Sequence, residues 1–501
     1  MLKRYEYSLL FLVQVMPYLL YALLMPSDPI PIEFKTDDSY FYFKIAQNVV
    51  AGLGSTFDGI NPTNGYHPLW MILCIPIVYF FDDKIMVLRI VMVLSAIFLY
   101  FTLLNLLALL RNFGIRRTSS FIVVLLLGTN SLWHSHGMCG MEFPLSLFLT
   151  TLFLYLFQQK ASGVWFGLVG GLTFLVRLDN VFLICIVYLF VFFQKQFKKS
   201  DLIAAGITAS LAAIYIFWNI GYFGHVIPVS GMVKEWWGQI GGGINFFYIL
   251  GLYSHSISQN LKYWYDLIKG GGATHIPFRF SDFLSTCTFF SLLILFVYSL
   301  VKQRKVFNSP LIKVLFISVF IHIFWYAFRT KFAGFGTWYW AVEWIFIIVL
   351  FAIALDKLFP LSLLGKIFII FLLLVTFPRD FLERPPFISQ KTLYQQFIEF
   401  LECNTEPGSI IGMPACGIVA YYMDDRTFIN VDGVTNSYKY LEAIKRREAC
   451  KILRNNGMNY AFLMDAFPYT QFCKEDYFTP INNFKCPSKF FNFTLYKFEM
   501  G

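Results

Sequence analysis

Apolar runs of membrane-spanning length recur along most of this chain, and they fix what it can be before any single residue is considered. The first covers roughly residues 8–25. Ten others fall at about 88–110, 119–133, 142–157, 163–176, 180–193, 202–222, 282–301, 311–328, 338–355 and 361–377. Such a pattern predicts a polytopic α-helical membrane protein, because in lipid every backbone polar group must find its partner within its own helix. Composition agrees: 57% of the 501 residues are hydrophobic and only 14% are charged, which excludes an ordinary soluble enzyme. The formal charge of +10 falls largely in short loops, so the chain carries no nucleic-acid footprint.

Charge sets the expected topology. Lys3 and Arg4 precede the first run and favour a cytoplasmic N-terminus, and the run itself is too long and too weakly cleavable for a signal peptide. It reads as a retained signal anchor. The segment 67–81 is also apolar, yet it is short for a crossing and carries Pro68 and Pro76. The basic loops 111–117, 194–200 and 302–305 all face the cytoplasm only if that segment does not cross. The prediction is therefore about 11 transmembrane helices, with interfacial helices in a first outer loop, 26–81, and with a second large loop, 223–281, and the tail on the outer side. An alternative merges 163–193 into one span that carries Arg177 and Asp179, and lets 67–81 cross. It would leave the basic loop 111–117 outside.

Near Pro378 the composition changes, dividing a transmembrane domain, residues 1–377, from an extracytoplasmic tail, residues 378–501. Helical periodicity fits 390–402 and 438–447, while 409–413, 427–432, 460–464 and 492–499 read as strands. A small α/β domain is expected. None of the nine cysteines has the C-x-x-C spacing of a metal site, and in an oxidising compartment a bridge such as Cys473 with Cys486 is the expected use of two of them.

Polar residues that could carry chemistry gather at the ends of the spans. Residues 36–70 read TDDSYFYFKIAQNVVAGLGSTFDGINPTNGYHPLW, with Asp37 and Asp38 just after the first span. Paired carboxylates there cap a helix, bind a cation or do chemistry. Capping a helix over 40–51 from Asp38 or Ser39 needs only one of them. The Gly- and Asn-rich turn that follows folds His67 back toward the pair. Glu142 opens an apolar helix, where an acid suits the helix N-terminus. Arg177 has Asp179 as a ready partner; Lys234, Arg329 and Lys331 sit where lysines and arginines snorkel. Trp338 and Tyr339 stand where an aromatic belt is expected. No Rossmann or Walker motif is present, which argues against nucleotide-sugar chemistry on the cytoplasmic side.

The stretch TDDSYFYFKIAQN, with GYHPLW after it, resembles the first outer loop of the glycosyltransferase-C superfamily, membrane enzymes that take sugars from polyprenyl-phosphate carriers. GMEFPL (140–145), RLDN (177–180), FGHVIPVSGMVK (223–234), GTWYW with Glu343, and FINVDGVTNSYKY (428–440) extend the resemblance in order along the chain. It is most similar to arabinofuranosyltransferase-like and protein O-mannosyltransferase-like members. The resemblance implies that an aspartate of the first outer loop is the catalytic base, here Asp37 by preference, with Asp38 as cap or supporting partner. It implies inverting transfer to a hydroxyl of a cell-envelope glycan, glycolipid or protein, at the outer face of the cell (inner) membrane. Developing charge on the lipid phosphate needs cations or aligned donors, for which His225, Lys234, Arg177, Arg329 and Lys331 are the candidates. His67, Glu142, Trp338 and Tyr339 complete the expected substrate contacts. The pattern requires no organic cofactor and leaves room for a divalent cation. Two rivals remain from the residues alone: a glycolipid flippase with the aspartates coupled to ions, and a non-catalytic scaffold for envelope assembly.

Overall fold

The computed structural model describes residues 2–24, 36–130, 133–134, 137–193, 198–240, 301, 307–330, 337–358, 393–465, 467–474, 477–485 and 492–499. Its apolar helices include α1 (Leu2–Gln14), α2 (Met16–Leu24), α5 (Lys84–Asn112), α6 (Arg117–Gly128), α7 (Phe143–Gln158), α8 (Val164–Val176), α9 (Val181–Phe192), α10 (Lys199–Phe223), α12 (Pro310–Phe324) and α13 (Ala341–Leu358). Between α2 and α5 lie α3 (Asp37–Val50) and α4 (Pro68–Phe80), and α11 (Val229–Ile240) follows α10. Five helical segments among the described residues are long and apolar enough to cross a membrane: Arg4–Leu24, Lys84–Asn112, Lys199–Phe223, Pro310–Arg329 and Trp338–Asp356. The expected runs at 282–301 and 361–377 fall almost wholly outside the described residues.

Local chemistry explains where these helices begin and end. Asp83 caps α5 by accepting from the Ile85 amide at 2.8 Å. Proline stands in the first turn of α4, α7 and α12, where the missing N–H costs nothing. The merged span 163–193 is not formed: Arg177 is extended (φ −152°, ψ 119°), and a 3₁₀ turn over Leu178–Asn180 separates α8 from α9. At 13 residues α4 rises only about 20 Å, short of a hydrocarbon core, and α6, α8 and α9, at 12 or 13 residues, are no longer.

The tail holds α14 (Leu393–Asn404), α15 (Gly417–Tyr422), α16 (Tyr438–Lys445) and α17 (Cys450–Asn455) around a five-stranded sheet. Its strands β1 (Ile410–Met413), β2 (Thr427–Asn430), β3 (Tyr460–Met464), β4 (Phe478–Lys485) and β5 (Asn492–Phe498) run in the order β2-β1-β3-β5-β4. The first three are parallel, and β5 and β4 add antiparallel partners. β4 carries Pro480, beside which its register with β5 shifts, as an edge strand tolerates. Cys473 is bridged to Cys450, not to Cys486, because Cys473 follows a turn that lies beside the start of α17, with the Ala449 amide donating to the Phe472 carbonyl at 3.0 Å.

The tail is packed onto the loops that leave the membrane helices. One apolar core continues from α5 and α7 through α3 and α15 into β1 and β3. A second unites Val229 and Val233 of α11 with Ile429, Tyr440 and Phe472 of the tail. Burial of this kind, near 25 cal/mol per Å² of apolar surface, is what holds membrane helices and tail in register.

Candidate active site

Two glycines let the first loop and the tail touch backbone to backbone. A Cβ on Gly417 would lie 2.3 Å from the Asp37 carbonyl oxygen, and one on Gly65 would lie 2.1 Å from that of Val434. Polar groups lock both contacts. The Asp37 carboxylate accepts from the backbone amides of Gly417 (3.0 Å) and Ile418 (2.9 Å) at the start of α15. Beside Gly65, Asn64 gives its side-chain amide to Asn219 at 3.1 Å and accepts, through its oxygen, from the Val229 amide and the Tyr438 hydroxyl, both at 3.0 Å.

Neither carboxylate caps the helix on which it sits. α3 begins at Asp37 rather than at residue 40, with Thr36 as its N-cap, and Ser39 Oγ turns back to donate to the Thr36 carbonyl at 2.7 Å. Asp37 is 9% exposed. Burial pushes its pKa from 3.8 up to about 7; the two amides oppose that rise, while the carboxylates of Asp38 and Asp432 add to it. Asp38 is half-buried. Asp58 is spent on its own turn, accepting from the amides of Ile60 and Asn61 at 2.9 and 2.7 Å.

Between the loops and the tail lies a cavity of about 690 Å³. Asp37, Asp38 and Phe41 of the first loop, Lys234 and Trp237 of α11, and Trp338 and Tyr339 before α13 line it. So do Asp432, Val434, Met464, Phe467 and Gln471 of the tail. Lys234 Nζ donates to the Tyr339 hydroxyl at 2.5 Å, and no carboxylate among the described residues pairs with it within 4 Å. Asp432, in the VDG segment, accepts from the amides of Ala415 (2.9 Å) and Val434 (3.0 Å), and burial raises its pKa.

Beneath this cavity runs a buried chain of charged groups. Glu142, fully buried at the start of α7, makes no capping bond there; it accepts from the Tyr42 hydroxyl (3.0 Å) and from Arg177 Nη1 (2.7 Å). Arg177 also holds Asp179 through Nε (3.1 Å) and Nη2 (2.8 Å), and its guanidinium lies 5.0 Å from the ring centre of Tyr339. Asp179 accepts from Tyr326 at 3.0 Å and faces His322 at 3.5 Å; His322 Nδ1 then meets Glu343 at 2.7 Å. His67 Nε2 stands 3.5 Å from Glu142 Oε1. Burial lowers the His67 pKa from 6.5 to about 4, with Arg177 reinforcing the shift and Glu142 opposing it.

Thus Asp37, Asp38, Lys234, Trp338 and Tyr339 meet at one cavity, and His67, Glu142 and Arg177 lie in the layer that supports it. His225 instead stacks on Tyr438 at 3.9 Å, and the half-exposed Arg329 pairs with Glu235, both away from the cavity lining. Lys331 lies outside the described residues. Sequence reasoning misses Tyr42, Asp432 and His322. Asp432 falls inside a segment already singled out, VDGVTNSYKY, whereas nothing in an isolated histidine of an apolar helix marks His322. As for a divalent cation, no group of three or more His, Cys, Asp or Glu side chains among the described residues converges as a metal requires. Asp37 and Asp432 each accept from two backbone amides.

Against solved structures, the fold matches the oligosaccharyltransferase of Archaeoglobus fulgidus in its apo form, with a TM-score of 0.55 at 14% identity over 98% of this chain and 74% of that one. The same enzyme, AglB, in complex with an inhibitory peptide and a dolichol-phosphate matches with a TM-score of 0.55 at 15% identity over the same shares. Arabinofuranosyltransferase AftD from Mycobacteria aligns over 96% of this chain and 41% of its own, at 11% identity and a TM-score of 0.42. No known protein family and no curated protein matches the sequence. At these identities the likeness is one of fold: the chain shares the architecture of this archaeal oligosaccharyltransferase.

Proposed function

We propose that this chain is an inverting glycosyltransferase that moves a sugar from a polyprenyl-phosphate donor to a hydroxyl acceptor on a glycan, glycolipid or protein. The observation that carries the reading is the cavity. There the Lys234 ammonium, bonded to a phenol and to no carboxylate among the described residues, and the half-buried Asp38 carboxylate both face one space of about 690 Å³. A half-buried cation held in this way is a ready seat for a lipid phosphate. That the neighbouring oligosaccharyltransferase was captured with a dolichol-phosphate supports the same donor class. The transmembrane domain, residues 1–377, would supply the donor side and the tail, residues 378–501, the opposite wall, outside the cell membrane, with the N-terminus in the cytoplasm.

The base is Asp38 rather than Asp37. As the acceptor oxygen bonds to the anomeric carbon, its proton passes to the Asp38 carboxylate and the carbon–oxygen bond to phosphate breaks, leaving both electrons on the phosphate. Lys234 then faces the charge that develops on the leaving group. Asp37 is occupied by the amides of α15 and acts by holding the tail in place. A positioned base contributes roughly 10²- to 10⁴-fold. Asp38→Asn should therefore lower transfer from a polyprenyl-phosphate pentose or hexose by about that factor, with the melting temperature unchanged. Full activity in that variant would remove Asp38 from the reaction.

A further inference from the structure

A cation and a carboxylate line the same cavity without pairing. Lys234 and Asp38 are both in its lining, yet among the described residues Lys234 Nζ is ion-paired with no carboxylate. Burial opposes the charge on Lys234, while Tyr339 and Asp38 hold its pKa above the ordinary lysine value, so the Asp38 carboxylate is near enough to be felt. Opposite charges in a partly desolvated space attract strongly, and a lysine stem is flexible enough to follow. Something must hold the ammonium back.

The backbone of α11 is already fixed. Val229 and Val233 are buried in the core they share with the tail, and Glu235 is ion-paired with Arg329 of the π-helical turn Trp325–Thr330. The Lys234 side chain is then caught by the Tyr339 hydroxyl, which accepts from Nζ at 2.5 Å. Tyr339 is itself braced. The Arg177 guanidinium lies 5.0 Å from its ring centre, and Tyr326, which donates to Asp179 at 3.0 Å, meets the ring edge-on at 6.0 Å. Arg177 is in turn gripped by Glu142 at 2.7 Å and Asp179 at 2.8 Å. The phenol takes one hydrogen of the ammonium and leaves the other two for an anion.

Resting on the transferase reading, we propose that Tyr339 is a positioning residue whose hydroxyl holds the Lys234 ammonium away from Asp38, keeping the cation available to an anionic leaving group and the carboxylate available to a proton. Without the phenol, ammonium and carboxylate close into an ion pair and each is spent on the other. Tyr339→Phe isolates this role, because it keeps the ring that Arg177 and Tyr326 touch.

The test uses the full chain in phosphatidylcholine nanodiscs, titrated by calorimetry with geranyl phosphate at pH 7.5 against empty discs. The unaltered chain should bind the probe saturably, and Lys234→Met should weaken binding by about tenfold or more. Tyr339→Phe should weaken it by about fivefold or more, but by less than about twofold in the Asp38→Asn background, where the carboxylate that captures the ammonium is gone. A merely structural role for Tyr339 gives the same loss in both backgrounds. Binding that depends on Lys234 but not on Tyr339, or that Tyr339→Phe weakens equally with and without the Asp38 carboxylate, overturns the proposal and leaves the anion seat standing. No saturable binding, or binding indifferent to Lys234→Met, overturns the anion seat itself and the proposal with it.

Discussion

Gly65→Ala is the sharpest test of how the site is assembled. The added methyl group would sit 2.1 Å from the Val434 carbonyl oxygen, 3.2 Å from its carbonyl carbon and 3.3 Å from the Thr435 Cα. An ordinary carbon–oxygen contact is about 3.3 Å, so the two backbones must separate by roughly 1 Å. No flexible side chain stands between them to give way. Overpacking of this kind costs about 1–3 kcal/mol, and here it acts next to Asn64, whose bonds to Asn219, Val229 and Tyr438 would stretch together. Val434 lines the cavity and Asp432 precedes it by two residues, so the displacement reaches the cavity directly. Misplacement by about 1 Å costs up to roughly 10²-fold in rate. Purified protein should melt several degrees lower and transfer sugar some ten- to a hundredfold more slowly. Gly206→Ala is the control, since its Cβ meets nothing within 4 Å. If Gly65→Ala melts and turns over like Gly206→Ala, the loop and the tail do not meet as described.

Other expectations follow from the same contacts. Lys234→Met removes a charged hydrogen-bond donor worth about 1.5–3 kcal/mol, so kcat/KM for the donor should fall by roughly ten- to a hundredfold while acceptor binding is unchanged. Arg177→Met leaves Glu142 and Asp179 buried without their cation and should destabilise the fold by about 3–5 kcal/mol, read by thermal melting. His67 has a pKa below its unfolded value of 6.5, so the unfolded chain binds the extra proton first; stability present above pH 6.5 should be lost as pH falls toward 4, and His67→Gln should flatten that slope in melting curves taken across this range.

Much of this architecture is legible in the sequence because it rests on periodicity. Apolar runs predict most of the described apolar helices to within a few residues, and YAFLM reads as the strand it is. α15 and α17 escape, since six residues are too few for a helical period to declare itself, and β4 is hidden by Pro480. The disulfide escapes for a different reason: spacing cannot tell which cysteine stands near Cys473, and Cys450 is brought there by the turn of α17. Site residues are legible where they cluster in sequence, as Asp37 and Asp38 do, or at the ends of spans, as Arg177, Lys234 and Tyr339 do. What cannot be read is which partner each takes. Glu142 resembles a helix cap in the sequence, but with Arg177 2.7 Å away, pairing a buried charge outweighs the modest gain of meeting a helix dipole.

The adjacent aspartates show how such a choice is decided. Consecutive residues on an α-helix point about 100° apart, so Asp37 and Asp38 cannot face the same neighbour. α3 is wedged between the cavity and the tail, with Tyr40 packed on Tyr421 and Phe43 on the same ring. That packing fixes the rotation of the helix, and the rotation gives one carboxylate to α15 and leaves the other half-open to the cavity. A single aspartate would have to choose between joining loop to tail and reacting in the space they enclose. Two in succession permit both, and the division of labour is set by the aromatic contacts that Tyr40 and Phe43 make with α15 on the face of α3 that carries Asp37, not by any difference between the carboxylates themselves.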